Sequence, residues 1–332
     1  MIIVFTAQQD THSDVVVGKL DRAGAEVVRV NTEELPAEAE FRLRLKRAGW
    51  HGEMGLRLGR RRVDPARVRA VWVRRPGRWQ PSPSLLPWEA EFAKAETRNA
   101  VLGLWSALDC FWMSRPGNIE AASWKMEQLV RARGMGLSVP RTLVTSDPAE
   151  LHRFHSECGG EVVTKTFTGG ASATAAARAD PGRQVPHVGL STTLVTEQVL
   201  EHAQLICHVP ALFQQRVPKR VELRVTVVGD ELFAAEIHSQ EHAETMLDSR
   251  RFDIPVRYRA VDLPHEVADR CIRFVHSYGL SFGAIDLIET PGGEYVFLEN
   301  NPVGQFLYVE QRVPELRITD ALVACLLRGR GG

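Results

Sequence analysis

Apolar and polar positions alternate along the chain with two different periods, which predicts a succession of strands and helices. Short runs rich in β-branched residues predict strands, and apolar residues spaced three and four apart predict helices. The first third of the chain contains predicted strands at 2–5, 26–30 and 71–74, and predicted helices at 13–23 and 88–108. Such alternation is typical of an α/β domain.

The most informative segment is 283–305, which predicts a β-hairpin with polar side chains gathered on one face. Two β-rich runs flank a Thr-Pro-Gly-Gly turn signal. Pairing Glu289 with Glu294 across this turn brings Asp286 and Glu299 onto one face at a diagonal distance. A register shifted by two residues would instead place these two carboxylates directly opposite each other.

These acids predict a metal site. Asn301 lies two residues beyond Glu299 and adds an amide oxygen to the same side if the strand continues that far. Carboxylate and amide oxygens are what Mg²⁺ prefers when it arrives on a nucleotide. An edge hairpin with solvated acids is the alternative. Apolar neighbours argue against it, because a buried carboxylate pair without a cation is costly; they are Ile285, Leu287, Phe297 and Leu298.

Composition narrows the classes of protein that fit. With 332 residues and 44% hydrophobic content, the chain can bury a large core. Its 41 basic and 41 acidic residues cancel, so no global field favours nucleic acid or a membrane surface. The five cysteines show no CxxC spacing, and no apolar run reaches membrane-spanning length. We therefore expect a reducing, cytoplasmic compartment and neither nucleic acid nor membrane as a partner.

An Asp on one strand followed by Glu-x-Asn-Pro at the end of the next resembles the metal-binding end of the ATP-grasp fold. The full segment GAIDLIETPGGEYVFLENNPVGQF is similar to the ATP-grasp ligases that mature ribosomally made peptides, the microviridin and other graspetide macrocyclases. The resemblance extends over most of the chain. It implies an α/β protein of three lobes, with ATP clamped between the second and the third. The implied lobes are an N-terminal α/β pre-ATP-grasp domain at 1–115, a central lobe at 116–213 and a C-terminal lobe with the metal site at 214–332.

Lys125 lies in a segment with an Asn118 cap signal, a helical pattern, a glycine stop and a strand pattern after Pro140. A lysine on an amphipathic helix is ordinarily solvated. The surrounding residues, however, match the family pattern Ala-x-x-Lys-x-x-Gln-Leu, and the resemblance implies that Lys125 contacts nucleotide phosphate.

Lys165 ends a predicted strand at 161–165 and precedes a loop of small residues at 166–172. Backbone N–H groups of such a loop can approach phosphates closely. The loop lacks the Walker pattern, and a lysine before glycines is weak alone. Its spacing of forty residues from Lys125 matches the family arrangement, in which two lysines reach the phosphates.

The segment around 213–217 resembles the hinge that pairs with the adenine edge, which implies ATP-binding roles for Gln214, Gln215 and Val217. Many relatives carry Glu where this chain has Gln215. Glu222 then matches the acid that holds the ribose hydroxyls.

Arg224 shares one strand face with Glu222, in a predicted hairpin of 221–228 and 232–237 around Gly229. A guanidinium there suits the γ-phosphate and the acyl phosphate that forms from it. Without the family pattern, a cross-strand surface pair would explain these two residues equally well.

A polar segment at 238–251 is the expected place of peptide contacts. Relatives often carry Asp-Trp-Arg where this chain has Asp248-Ser249-Arg250. His238, Asp248, Arg250 and Arg251 are candidates for orienting the acceptor carboxylate or the nucleophile. A solvated polar loop is an equally good interpretation of each.

The resemblance implies an ATP-dependent carboxylate-amine or carboxylate-alcohol ligase that closes rings in a precursor peptide through an acyl phosphate. Lys165 and Arg224 would be the catalytic cations, and Asp286, Glu299 and Asn301 would hold Mg²⁺. The expected cofactors are ATP and Mg²⁺, with two ions, and the expected partners are a leader-bearing precursor peptide and a second copy of the chain in a homodimer.

Two alternatives remain open from the sequence. One is an ATP-grasp amino-acid or glutamate ligase that adds a residue to a peptide or small molecule. The other is a nucleotide-binding or peptide-binding regulator without turnover, which the intact acids and the two lysines disfavour.

Overall fold

The chain folds into β-sheets covered by helices, in a computed structural model that describes residues 1–46, 49–56, 61–167, 192–249 and 254–329. None of its described helices is long and apolar enough to cross a membrane.

The N-terminal part alternates strands and helices, as the sequence predicts. In chain order it contains β1 (Ile2–Thr6), α1 (Thr11–Arg22), β2 (Val27–Asn31), β3 (Ala39–Lys46), β4 (Gly49–Leu56), β5 (Arg61–Val63), β6 (Ala70–Val73), α2 (Pro87–Ser106) and β7 (Phe111–Trp112). Strands β2-β1-β6-β7 form a parallel sheet in that order. Strands β1 and β6 are buried along their whole length, because helices cover both faces of such a sheet. Strands β3, β4 and β5 pair antiparallel in a separate sheet.

The middle of the chain contains an antiparallel sheet. Its elements are α3 (Pro116–Ala121), α4 (Lys125–Gly134), β8 (Thr142–Thr145), α5 (Pro148–Glu157), β9 (Val162–Lys165), β10 (Thr193–Leu194), α6 (Glu197–Leu200) and β11 (Ala211–Gln215). The strand order is β10-β9-β11-β8. Leu151 and Phe154 of α5 share a core with Val162 and Phe213.

The prediction of an Asn118 cap is wrong. Two short helices, α3 and α4, replace the single predicted helix, and their N-cap residues are Arg115 and Trp124. Asn118 lies inside α3 instead, where its side-chain amide donates to the carbonyl of Gly279 at 3.0 Å. The predicted strand after Pro140 is confirmed as β8.

The C-terminal part is built on a larger antiparallel sheet of order β14-β13-β12-β15-β16. Its elements are β12 (Val221–Val228), β13 (Glu231–Ile237), β14 (Tyr258–Ala260), α7 (His265–His276), β15 (Phe282–Glu289), β16 (Tyr295–Asn301), α8 (Leu307–Arg312) and α9 (Ile318–Arg328). The predicted hairpin around Gly229 is confirmed as β12 and β13, with Gly229 at a φ of +58° that suits glycine. Short 3₁₀ helices occur at Thr32–Glu34, Pro65–Arg67, Ala203–His208, Ser239–Glu241 and Ala243–Thr245.

The faces of this sheet differ in chemistry, because side chains alternate along each strand. One face is apolar and packs against α7 and α4, through residues that include Leu223, Val225, Phe274, Ile285, Leu287 and Leu129. The opposite face carries Glu222 and Arg224 of β12 and Asp286 of β15. Helix α4, placed in the central lobe by the sequence boundaries, therefore contributes to the core of the C-terminal sheet.

The register of the hairpin β15–β16 differs from the simplest prediction. Glu289 pairs with Tyr295 and not with Glu294, and a β-bulge follows between Asp286 and Leu287. The extra residue in β16 shifts the pairing, so that Asp286 lies directly opposite Glu299. The second register considered from the sequence is therefore the one found at the carboxylates.

Candidate functional site

The structure brings the residues predicted for nucleotide and metal to one cavity of about 830 Å³. Its walls come from β9 and β11 on one side and from β12, β15, β16 and α4 on the other. The predicted residues that line it are Lys125, Lys165, Gln214, Gln215, Val217, Glu222, Arg224, Asp286, Glu299 and Asn301. The individual ligand roles of these residues stay predictions.

The paired acids form the end of the cavity at β15 and β16. Arg224 donates to Asp286 at 2.7 Å, and Lys125 forms an ion pair with Glu299. Desolvation by the surrounding protein, together with the charge of Glu299, raises the pKa of Asp286, although Arg224 opposes the shift. About a third of each carboxylate side chain remains accessible from the cavity, at 35% for both. A cation that entered here would therefore meet two reachable and partly desolvated carboxylates.

The donor set fits a hard divalent cation. Asn301 pairs with Ala284 in the hairpin, two positions from the pairing of Asp286 with Glu299, so all three oxygen-bearing side chains point to one face. The side-chain oxygen of Asn301 accepts from the amide of Val303 at 3.0 Å, which fixes its orientation. No cluster of three or more His, Cys, Asp or Glu suited to a metal occurs among the described residues, so protein ligands alone supply only part of a coordination sphere. Such a site is typical of Mg²⁺ that keeps waters and phosphate oxygens.

Helix α4 is connected to β16, the strand that carries two predicted metal ligands, by two of its residues. Lys125, in its first turn, reaches Glu299, and Gln128, one turn further, is 2% exposed. The side-chain N–H of Gln128 donates to the backbone carbonyl of Asn300 at 2.9 Å, and its side-chain oxygen accepts from the backbone N–H of Asn300 at 2.7 Å. Asn300 lies between Glu299 and Asn301. Gln128 therefore fixes the backbone that carries both predicted ligands.

Lys165 ends β9 and faces the same cavity. Burial lowers the pKa of Lys165, and the neighbouring charge of Lys125 lowers it further, while Glu299 opposes the shift. Lys165 would be stabilised in its charged form by an anion such as a phosphate. The loop predicted at 166–172 to accompany it is described only as far as Phe167, and the remainder lies outside the described residues.

Among the described residues, one backbone N–H group of the segment 213–217 has no hydrogen-bond acceptor. The backbone N–H of Gln215 donates to the backbone carbonyl of Arg141 at 2.9 Å, and the backbone N–H of Arg216 donates to the backbone carbonyl of Glu161 at 2.8 Å. Within the described residues no hydrogen bond engages the amide of Val217, which lines the cavity. A free donor next to β11 is what the acceptor edge of an adenine requires.

Glu222 is held from several sides at the cavity wall. It accepts from Lys219 at 2.8 Å, from Ser239 at 2.7 Å and from Ser249 at 3.0 Å. This network orients the carboxylate, and ribose hydroxyls would have to share or displace the serine contacts.

The candidates for peptide contact separate in the structure. Asp248 lines the cavity and accepts from the amide of Thr192 at 2.9 Å. His238 does not line it; its imidazole lies 3.1 Å from Glu236, a buried acid on the opposite face of the sheet. Arg250 and Arg251 lie outside the described residues.

Some lining residues were not predicted from the sequence. Arg75 reaches the cavity from the N-terminal part, directly after β6, and Tyr308 reaches it from α8. Burial raises the pKa of Tyr308, so its phenol stays protonated as a hydrogen-bond donor. The sequence could have identified Arg75 as a cavity residue, because the Arg74-Arg75 pair follows an apolar strand. Polar residues at the carboxyl ends of parallel strands commonly form binding sites.

Comparisons with known proteins agree with this geometry. Residues 1–120 match the family described as the MvdD pre-ATP grasp domain. The macrocyclase MdnC from Microcystis aeruginosa MRC, solved with the precursor peptide MdnA, is 27% identical, with a TM-score of 0.82 over 99% of both chains. A RiPP-associated ATP-grasp ligase from Chryseobacterium gregarium, solved with ADP and a leader and core peptide, is 26% identical. Its TM-score is 0.85 over 98% of this chain and 96% of that one. The macrocyclase MdnB from Microcystis aeruginosa MRC is 27% identical, with a TM-score of 0.76 over 98% of both chains. A search of curated proteins found no match.

The protein therefore has the ATP-grasp fold, with the cavity between the sheet β10-β9-β11-β8 and the sheet β14-β13-β12-β15-β16. Within that fold, the solved structures to which the chain is similar include a macrocyclase and an ATP-grasp ligase that were each solved with a peptide.

Proposed function

We propose that this protein is an ADP-forming ligase that joins side chains of a ribosomally synthesised precursor peptide through ester or amide bonds. The observation that carries the proposal is the convergence of both lysines, Arg224 and the opposed carboxylates Asp286 and Glu299 on one cavity, in a chain similar to peptide macrocyclases over nearly its whole length. This arrangement suits phosphoryl transfer to a carboxylate.

In the first half-reaction, an Asp or Glu side chain of the peptide attacks the γ-phosphorus of ATP, which gives an acyl phosphate and ADP. Lys125 and Lys165 would approach the phosphates from α4, which packs in the core of the C-terminal sheet, and from β9 of the central sheet. Arg224, which is 7% exposed and fixed by Asp286, would meet the charge that develops on the transferred group. Because these cations are carried by ordered elements that border the cavity, only their side chains would have to reorient when the nucleotide and the metal enter.

Asp286, Glu299 and Asn301 would hold Mg²⁺, for which two ions are expected. When bound, Mg²⁺ neutralises phosphate charge and polarises the transferred phosphoryl group. Its entry would free Lys125 and Arg224 from their present carboxylate partners. These two side chains would then turn toward the nucleotide.

In the second half-reaction, a Ser, Thr or Lys side chain attacks the acyl carbon, and phosphate leaves. A leader segment of the precursor, remote from the reacting side chains, would be recognised on the central lobe and at the polar segment near Asp248. Holding the chain at one place raises the effective concentration of its reactive side chains at another. We place the reaction in the cytoplasm and expect a homodimer, which light scattering of the purified protein would test.

The decisive experiment combines the enzyme, ATP, Mg²⁺ and the cognate precursor peptide, with and without the leader. Mass spectrometry should record the loss of one water mass per bond, accompanied by ADP, and the leaderless peptide should react far more slowly. A gain in mass equal to an added amino acid would establish the amino-acid ligase instead. Binding of ATP without ADP formation would favour the regulator.

A further inference from the structure

A pair of arginines lies where the N-terminal parallel sheet meets the cavity. Arg74 and Arg75 follow β6 directly, at the carboxyl ends of the strands. In the order β2-β1-β6-β7, the chain runs from β1 to its neighbour β2 on one side and from β6 to its neighbour β7 on the other side. The direction of connection therefore changes between β1 and β6. Open α/β sheets form a ligand-binding crevice at this kind of switch point. Asp10, which follows β1, acts electrostatically on both arginines.

Arg74 has a supporting position. It is 2% exposed, and its guanidinium donates to the carbonyl of Val303, just beyond the metal-binding strand. Arg75 donates to the same carbonyl at 3.3 Å but remains accessible to solvent and lines the cavity. Val303 lies two residues beyond Asn301, and Arg224 donates to the carbonyl of Gln305 at 3.1 Å. Arg75 is therefore anchored beside the predicted site of phosphoryl transfer.

The charges of the cavity wall are unevenly matched. Most of its cations have a carboxylate partner within 4.0 Å: Lys125 with Glu299, Lys219 with Glu222, Arg224 with Asp286 and Arg216 with Glu161. Among the described residues, Arg75 and Lys165 have no carboxylate within that distance. The proposed function gives Lys165 to the nucleotide phosphates. Arg75 is then available for a second anion.

We propose that Arg75 binds the carboxylate of the acceptor side chain before that carboxylate reacts. This inference rests on the proposed function and identifies the residue that contacts the first reacting group of the peptide. A guanidinium presents parallel N–H groups that match a carboxylate bidentately. In the step that follows, a carboxylate oxygen bonds to the γ-phosphorus. The bond from that phosphorus to the bridging oxygen breaks, and ADP leaves with the electron pair. Arg75 holds the carboxylate beside Arg224 while this exchange occurs.

The proposal can be tested without turnover, by modification of accessible arginines with phenylglyoxal. The protein is saturated with Mg²⁺ and a non-hydrolysable ATP analogue, and glutarate or the neutral glutaramide is added as the probe. Mass spectrometry then compares Arg75 with Arg78, an exposed arginine outside the cavity. Glutarate should slow modification of Arg75 several-fold, whereas glutaramide should not, and Arg78 should react equally throughout. Protection by the nucleotide analogue alone would assign Arg75 to phosphate, and the absence of protection by glutarate would equally overturn the proposal.

Kinetics provide a second test, with the precursor peptide as substrate. Arg75→Met should lower kcat/KM for the peptide by roughly 10-fold to 100-fold, the scale of one charge-assisted contact, and leave nucleotide affinity within about twofold. Arg75→Lys should restore part of the loss, and Arg78→Met should behave as wild type. Wild-type efficiency in Arg75→Met would refute the proposal even if the peptide still lost water. Conversely, a wild-type enzyme that formed no ADP would refute the proposed function and leave the glutarate result standing.

Discussion

The contact of Gln128 with β16, the strand that carries the predicted metal ligands Glu299 and Asn301, gives the sharpest prediction. Gln128 touches neither predicted ligand, yet it engages both backbone groups of Asn300, the residue between them. It also donates to the carbonyl of Ala122 at 2.7 Å. The informative change is Gln128→Met, which keeps the length and much of the volume of the side chain but removes every polar atom.

The structure sets the expected size of the effect. Gln128→Met removes three hydrogen bonds and leaves the N–H and C=O of Asn300, which is 3% exposed, without these partners. At about 1 kcal/mol for each bond, the free energy of unfolding should fall by about 3 kcal/mol, and by more if the buried groups find no water. Loss of a group that orients metal ligands typically costs about 10-fold to 100-fold in metal affinity or activity. The Mg²⁺ concentration that gives half-maximal ADP formation should therefore rise at least about tenfold.

The assay is a Mg²⁺ titration of ADP release, paired with urea unfolding of the same preparations. Gln198→Met is a matched control, because Gln198 is an exposed glutamine on helix α6, away from the metal-binding strand. Gln128→Glu is a second variant, since it keeps an acceptor for the amide of Asn300 and loses the donor. A folded Gln128→Met protein with the Mg²⁺ dependence of the control would refute the positioning role. Unchanged urea stability would refute the estimate of the contacts.

Asp286→Asn and Glu299→Gln should each abolish ADP release and keep the fold, because each removes charge with little change in volume; circular dichroism and the ADP assay check this. Lys125→Ala and Lys165→Ala should each weaken ATP binding or slow phosphoryl transfer by roughly a hundredfold, and calorimetry showing unchanged affinity together with an unchanged rate would contradict it. Because burial lowers the pKa of Lys165, its ammonium is present below that lowered value and lost above it. Accordingly, kcat/KM for ATP should fall as pH rises through this pKa, and Lys165→Arg should move the decline to higher pH.

The hairpin of β15 and β16, for which a metal site is predicted, shows how much of the structure the sequence predicts. The prediction that Asp286 and Glu299 share a face is correct, but the period of two does not by itself produce it. From the pairing of Glu289 with Tyr295, unbroken alternation would place Leu298 opposite Asp286 and Glu299 on the other face. The direct opposition of the two carboxylates depends on a β-bulge that leaves one residue, Leu298, without a partner in β15. No residue type near Leu298 predicts this bulge. Two registers were therefore compatible with the same residues, and only the packed hairpin distinguishes them.

Contacts between distant parts of the chain escaped the sequence analysis for a different reason. The link between Gln128 and Asn300 joins residues 172 positions apart, and that between Arg75 and Val303 joins residues 228 positions apart. Periodicity reports which face of an element is buried, but it does not say which element covers that face. The sequence analysis included Gln128 only as the Gln of the family pattern Ala-x-x-Lys-x-x-Gln-Leu, and it predicted no contact for this residue.

Three parts of the chain meet around the cavity in which we propose both half-reactions. Helix α4 and strand β9 bring the lysines from the middle of the chain, whereas β12 and the hairpin β15–β16 bring Arg224 and the acids. The loop after β16 then meets Arg74 and Arg75 from the N-terminal sheet, through the carbonyl of Val303. Since that loop directly follows Asn301, the last residue of β16, a shift of the N-terminal sheet would affect a predicted metal ligand as well as the proposed carboxylate contact. The position of the peptide and the position of Mg²⁺ are therefore expected to be coupled. If Arg75→Met and Gln128→Met both act on this loop, the free-energy changes derived from kcat/KM should be non-additive in the double variant. If the two substitutions act separately, these free-energy changes should add.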